Sequence, residues 1–122
     1  MIFEQLFDKK SSTYTYLIAS NKGREALIID PVIDNVSEYI NLLNSLDLKL
    51  VKVIDTHIHA DHVTGASKLK DLTKCSTIMG EHTPAEAVEI KVKDDEYINL
   101  DNLKIRAMYT PGHTSDSFSF LM

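Results

Sequence analysis

With 122 residues, 43% hydrophobic and 25% charged, the chain has apolar material for one core and no compositional sign of two, so one domain over 1–122 is expected. A net charge of −5 and the lack of any Lys/Arg stripe argue against a nucleic-acid partner, and Lys9-Lys10 and Lys91-Val92-Lys93 read as solvated clusters. No apolar run reaches membrane-spanning length, the opening Met1-Ile2-Phe3-Glu4-Gln5 lacks a leader's pattern, and Cys75 is the only cysteine, which together predict a cytoplasmic address without a disulfide.

In chain order, residues 2–7 and 14–19 alternate or run apolar and predict strands, and Asn21-Lys22-Gly23 punctuates a hairpin into a third at 25–29. Asp30-Pro31 ends that strand. Asn35, with Glu38 three residues on, predicts an N-cap and capping box. Val36, Tyr39, Ile40, Leu43 and Leu46 then recur at helical spacing, giving one apolar face to lay on a sheet. The β-branched run at 50–54 predicts a strand ending at Thr56, with a helix over 63–73 and a short buried strand at 77–79. Residues 86–100 are ambiguous: 89–93 alternates, and 96–100 reads as strand before an Asp101-Asn102 turn. Strands follow at 103–109 and in the alternating Ser117-Phe118-Ser119-Phe120-Leu121-Met122. Hairpins followed by β-α-β alternation predict an α/β layer with helices on one face.

The chemistry concentrates in two short patterns. Of five histidines, His57, His59 and His62 lie in Thr56-His57-Ile58-His59-Ala60-Asp61-His62, and His113 lies in Thr110-Pro111-Gly112-His113-Thr114. Imidazole and carboxylate are the ligands that borderline divalent metals prefer. At alternate positions of an extended segment, His57 and His59 project to one side, about 6–7 Å apart at Cα, which suits one ion. Asp61 and His62, past the strand end, can face a second metal or orient the first ligands. Pro111-Gly112 turns the backbone at the end of 103–109 and delivers His113. His57, His59, Asp61, His62 and His113 are therefore the candidate metal ligands. Asp61 is also the candidate catalytic carboxylate. His82, in Gly80-Glu81-His82-Thr83-Pro84, has no partner motif and reads as part of a turn. Cys75 has no histidine beside it in sequence and reads as a small packed thiol rather than a nucleophile.

Together these patterns resemble the metallo-β-lactamase superfamily, in particular its persulfide dioxygenase branch, with glyoxalase II (hydroxyacylglutathione hydrolase) as near kin. Asp30-Pro31-Val32 after a strand and the continuation Val63-Thr64-Gly65-Ala66 add to the likeness, the latter favouring the dioxygenase branch. The resemblance implies an αββα sandwich of which this chain covers about the first αβ half. In the dioxygenase branch, it implies that His57 and His113, with a later aspartate, hold one iron(II), leaving positions open for oxygen and a sulfur substrate. His59, Asp61 and His62 are then supporting groups or spare ligands. In the hydrolase branch, it implies that His57, His59 and His113 hold one zinc and that Asp61 and His62 contribute to a second. The implied substrates are a small thiol persulfide, such as glutathione persulfide, or a glutathione thioester. Arg24 and Arg106 are the only arginines available to meet glutathione carboxylates, and neither can be assigned to it.

The hydrolase resemblance also implies a later aspartate that bridges the two metals and a later histidine that completes the second site; neither follows before Met122, so the chain reads as a truncated domain. On that reading Ile28, Val53, Ile105 and Phe118 would face water, at a cost of about 1.5–3 kcal/mol each. Self-association or a missing C-terminal half is the expected remedy. An inactive metal-binding or assembly fragment is the third functional reading.

Overall fold

The period-two pattern of the first thirty residues builds the near edge of a large sheet. In this computed structural model, which describes residues 2–21, 24–56, 65–80, 90–101, 103–110 and 118–121, β1 (Ile2–Asp8) pairs antiparallel with β2 (Thr13–Ala19), and β2 with β3 (Glu25–Ile29). The chain then crosses over through α1 (Val36–Ser45) to β4 (Lys49–Ile54), parallel to β3, and through α2 (Ala66–Thr73) to β5 (Ser76–Gly80), parallel to β4. The short β6 (Ile90–Val92) extends the sheet beside β5. Among the described residues the order is β1 to β6 in sequence. A second, antiparallel sheet holds β7 (Tyr97–Leu100), β8 (Leu103–Tyr109) and β9 (Phe118–Leu121).

Alternation along the strands sorts the side chains onto two faces. Leu17, Ala19, Ala26, Ile28, Leu50 and Val53 meet Val36, Tyr39 and Leu43 of α1 and Ala66 and Leu69 of α2, so both helices cover one face, as the sequence predicts. Cys75 is buried in this cluster, a packed thiol. Ile18, Leu27, Ile29, Ile54 and Ile78 face the other way and pack on Ile98, Leu100, Ile105 and Ala107 of the second sheet. A bulge in β4 makes this sorting work. Ala26 lies opposite Leu50 but Leu27 opposite Lys52, so Val51 is the extra residue. The bulge leaves Val53 under the helices and Ile54 under the second sheet. Lys52 Nζ then donates to the Asn99 carbonyl and ties the two sheets together.

Two expectations are corrected here. Ile28, Val53 and Ile105 do not face water; each is 0% exposed, Ile28 and Val53 because α1 and α2 cover them on the outer face, and Ile105 because the chain's own two sheets pack together on the inner face. (The Phe118 side chain lies outside the described residues.) The half-exposed apolar groups on that face are instead Phe3, Phe7 and Tyr14, at the β1–β2 end. The second correction is the capping box. Asn35 does occupy the N-cap of α1, but its side chain makes no capping bond, and its Nδ2 donates to Asp8 Oδ1 at 3.1 Å. The Asp8 carboxylate across the sheet edge holds the Asn35 amide, and its oxygen accepts no helix N–H. The described part of the second helix begins at Ala66, and residues 63 and 64 of its predicted span lie outside the described residues.

Candidate metal centre and the turn that frames it

β3 ends at Ile29, and the chain turns at Asp30 with φ at 55°, a left-handed conformation that aspartate tolerates better than most side chains. Its N–H donates to the Ile54 carbonyl at 2.7 Å, which extends the parallel pairing past the end of β3. That brings the Asp30 carboxylate to the end of β4. There Oδ1 accepts the Thr56 backbone N–H and Oδ2 the Thr56 hydroxyl, both at 2.8 Å. Bonds of this kind to a buried charged group contribute about 1.5–3 kcal/mol. Pro31 has no N–H to offer, but its carbonyl accepts the Gly65 N–H at 2.9 Å. One dipeptide thus holds Thr56 and Gly65, the two residues that flank 57–64.

The segment that carries His113 is bracketed in its own way. Tyr109 lies opposite Phe118 in the β8–β9 pairing, and the Thr110 and Ser119 hydroxyls meet at 2.8 Å. The Tyr109 N–H donates to Asp94 Oδ1 at 2.8 Å.

His57, His59, Asp61, His62 and His113 all lie outside the described residues, as does His82. Among the described residues no three His, Cys, Asp or Glu side chains come together as a metal site. Four imidazoles and a carboxylate are a donor set whose chemistry fits iron(II) or zinc.

Sequence reasoning took Asp30-Pro31 as a strand end and Tyr39 as one residue of a helix face. It did not see that Asp30 and Pro31 hold Thr56 and Gly65, the residues that flank the candidate ligand segment. A signal was present: an aspartate before proline at a strand end is suited both to a turn and to reaching neighbouring N–H groups.

Elsewhere among the described residues, Asp101 and Asp95 meet the two arginines. Asp101 Oδ2 accepts the Ser20 hydroxyl at 3.1 Å and the Glu25 N–H at 3.0 Å, and Arg24 Nη2 lies 3.2 Å from Oδ1. Burial, the largest single influence, pushes the Asp101 carboxyl up, but the Glu25 N–H, the Ser20 hydroxyl and Arg24 together bring it below its ordinary 3.8. Arg106 Nε stands 3.5 Å from Asp95. Both arginines therefore face acids of this chain.

A family profile described as the metallo-beta-lactamase superfamily matches residues 9–122. The chain is 32% identical to the mitochondrial persulfide dioxygenase ETHE1 of Bos taurus, covering 100% of this chain and 48% of that protein. It is 32% identical to a hydroxyacylglutathione hydrolase of Dictyostelium discoideum, covering 89% of this chain and 41% of that one. Among solved structures it superposes on ETHE1 from Myxococcus xanthus with a TM-score of 0.95 at 40% identity, covering 99% of this chain and 53% of that one. The chain thus spans about half the length of the relatives it matches. Among the described residues, no helix is long and apolar enough to cross a membrane.

Proposed function

Because the chain belongs to the metallo-beta-lactamase superfamily, we propose that it is the metal-binding part of an enzyme that oxidises a low-molecular-weight persulfide, such as glutathione persulfide. The observation that carries this reading is the likeness to persulfide dioxygenases along 100% of the chain. The Asp30-Pro31 clamp supports it, since a ligand segment held at both ends is what a preformed site requires.

In this reading His57 and His113 hold one iron(II), together with a carboxylate from elsewhere. Such an ion, when bound, would offer open positions for oxygen and the sulfur substrate. His59, Asp61 and His62 are then supporting groups or spare ligands, with Asp61 the candidate catalytic carboxylate. The work of the described residues is to fix the segment. Thr56 and Gly65 hold its ends, so that imidazoles are delivered without the entropy of an unanchored loop.

A second reading, a binuclear zinc hydrolase of glutathione thioesters, is favoured by the match to hydroxyacylglutathione hydrolases over 89% of the chain. There His57, His59 and His113 hold one zinc, and Asp61 and His62 the other. Metal analysis of anaerobically purified protein, with oxygen uptake on a persulfide and cleavage of a thioester, separates the two. Iron with oxygen uptake supports the first reading. Two zinc per chain with thioester cleavage supports the second. Metal without either activity leaves a metal-binding or assembly role.

A further inference from the structure

We propose that Tyr39 is a positioning residue for the metal segment, acting with Thr15 through the Asp30-Pro31-Val32 turn; the proposal rests on the metal-binding reading above. Tyr39 and Thr15 are each 1% exposed, and their hydroxyls meet at 3.1 Å between α1 and β2. The Thr15 hydroxyl donates its hydrogen to the Asp30 carbonyl at 2.7 Å, so the shared bond must be donated by Tyr39. Tyr39 Oη in turn accepts the Val32 N–H at 3.0 Å. The result is a directed relay in which Val32 N–H gives to Tyr39, Tyr39 to Thr15, and Thr15 to the Asp30 carbonyl.

The relay spans Pro31, which cannot donate a turn-closing bond of its own. It fixes the Asp30–Pro31 peptide and the Pro31–Val32 peptide, whose carbonyl holds Gly65, next to the Asp30 carboxylate that holds Thr56. A phenylalanine at 39 would fill the same core volume, and only the hydroxyl reaches the turn. The Val32 N–H would then be left buried without its partner, a state that favours relaxation of the turn. The ends of the 57–64 segment move with it.

The test compares Tyr39→Phe, Thr15→Val and Thr15→Ser in the full chain, by Zn(II) titration and by amide hydrogen exchange. Tyr39→Phe and Thr15→Val should each weaken Zn(II) binding about 10-fold, the scale of losing a group that orients ligands. Exchange at the Thr56 and Gly65 amides should accelerate more than at Leu17 and Ile28, which report core opening. Thr15→Ser, which keeps the hydroxyl, should restore both readouts. The proposal is overturned if Tyr39→Phe binds Zn(II) within twofold of the parent, or if Thr56 and Gly65 accelerate no more than Leu17 and Ile28. Should the parent chain bind no Zn(II), the metal reading fails separately, and the exchange comparison still judges the relay. If Tyr39→Phe does not fold, Thr15→Val against Thr15→Ser decides.

Discussion

Gly65 stands so close to Val36 that a Cβ placed on it would lie 2.9 Å from Val36 Cγ2, with the Val32 carbonyl oxygen at 3.3 Å and Ile33 Cα at 3.4 Å. The glycine is therefore required by space: the N-cap of α2 is pressed against the start of α1, and that contact lets its N–H reach Pro31. Val36 is buried and β-branched, so it has little freedom to yield. Gly65→Ala should destabilise the fold by about 1–3 kcal/mol in urea unfolding. Adding Val36→Ala should recover part of that loss, since it removes the clashing methyl. Strictly additive effects in the double variant would contradict the packing account.

Asp30→Asn keeps the shape of the side chain but leaves one amide oxygen to serve the two Thr56 donors. The expected loss is about 1.5–3 kcal/mol, read from chemical denaturation. Thr56→Val should cost less, because it removes only the hydroxyl and leaves the backbone N–H bond in place. Equal stability of Asp30→Asn and the parent would show that the carboxylate does not clamp β4.

Acid should act through Asp8. The Ser11 hydroxyl, its N–H and the Asn35 amide all donate to this carboxylate, and together with Lys10 they outweigh burial and hold it below its ordinary 3.8. A carboxyl lowered in the folded state contributes stability that is present above its unfolded value, about 3.9. That contribution is lost as pH falls through the lowered folded value. In an acid titration followed by circular dichroism, Asp8→Asn should flatten the fall in stability below about pH 4. An unchanged acid limb would contradict the role assigned to Asp8.

Three aromatics stand half-exposed at the β1–β2 edge. Phe7 and Tyr14 are each 50% exposed and their tilted rings meet at 4.8 Å between centroids, and Phe3, 47% exposed, lies 5.6 Å from Tyr16. All four share the inner face at the β1–β2 edge of the large sheet. Apolar patches of this kind on an edge strand promote association. The parent chain should show concentration-dependent mass in light scattering, and Phe3→Ser with Phe7→Ser should suppress it. A parent that stays monomeric at high micromolar concentration would contradict this.

Most strand positions were readable because period-two runs such as 25–29 and 103–109 have few other uses, and the α1 face was readable because five apolar residues recur at helical spacing. What escaped the sequence was non-local. Whether Asn35 caps its helix depends on Asp8, 27 residues away and brought alongside only by the fold. Residues 86–100 were ambiguous because β6, at Ile90–Val92, is a three-residue edge strand with too few positions to show a period. The exposure expected of Ile28 and Val53 failed because the helices cover that face, and Ile105 because its own sheet packs inward. For the site, the candidate ligand types stand in two motifs of the sequence, whereas the frame around them does not. Asp30, Tyr39, Thr15 and Gly65 are joined by bonds that no local pattern encodes.

The most direct test is the metal bound per chain after anaerobic loading with Fe(II) or Zn(II), for the parent, His57→Ala and His113→Ala. The account predicts that the parent retains metal through desalting and that each substitution alone removes or sharply reduces it. Equal metal in the parent and in both variants would contradict the claim that these two segments serve one centre.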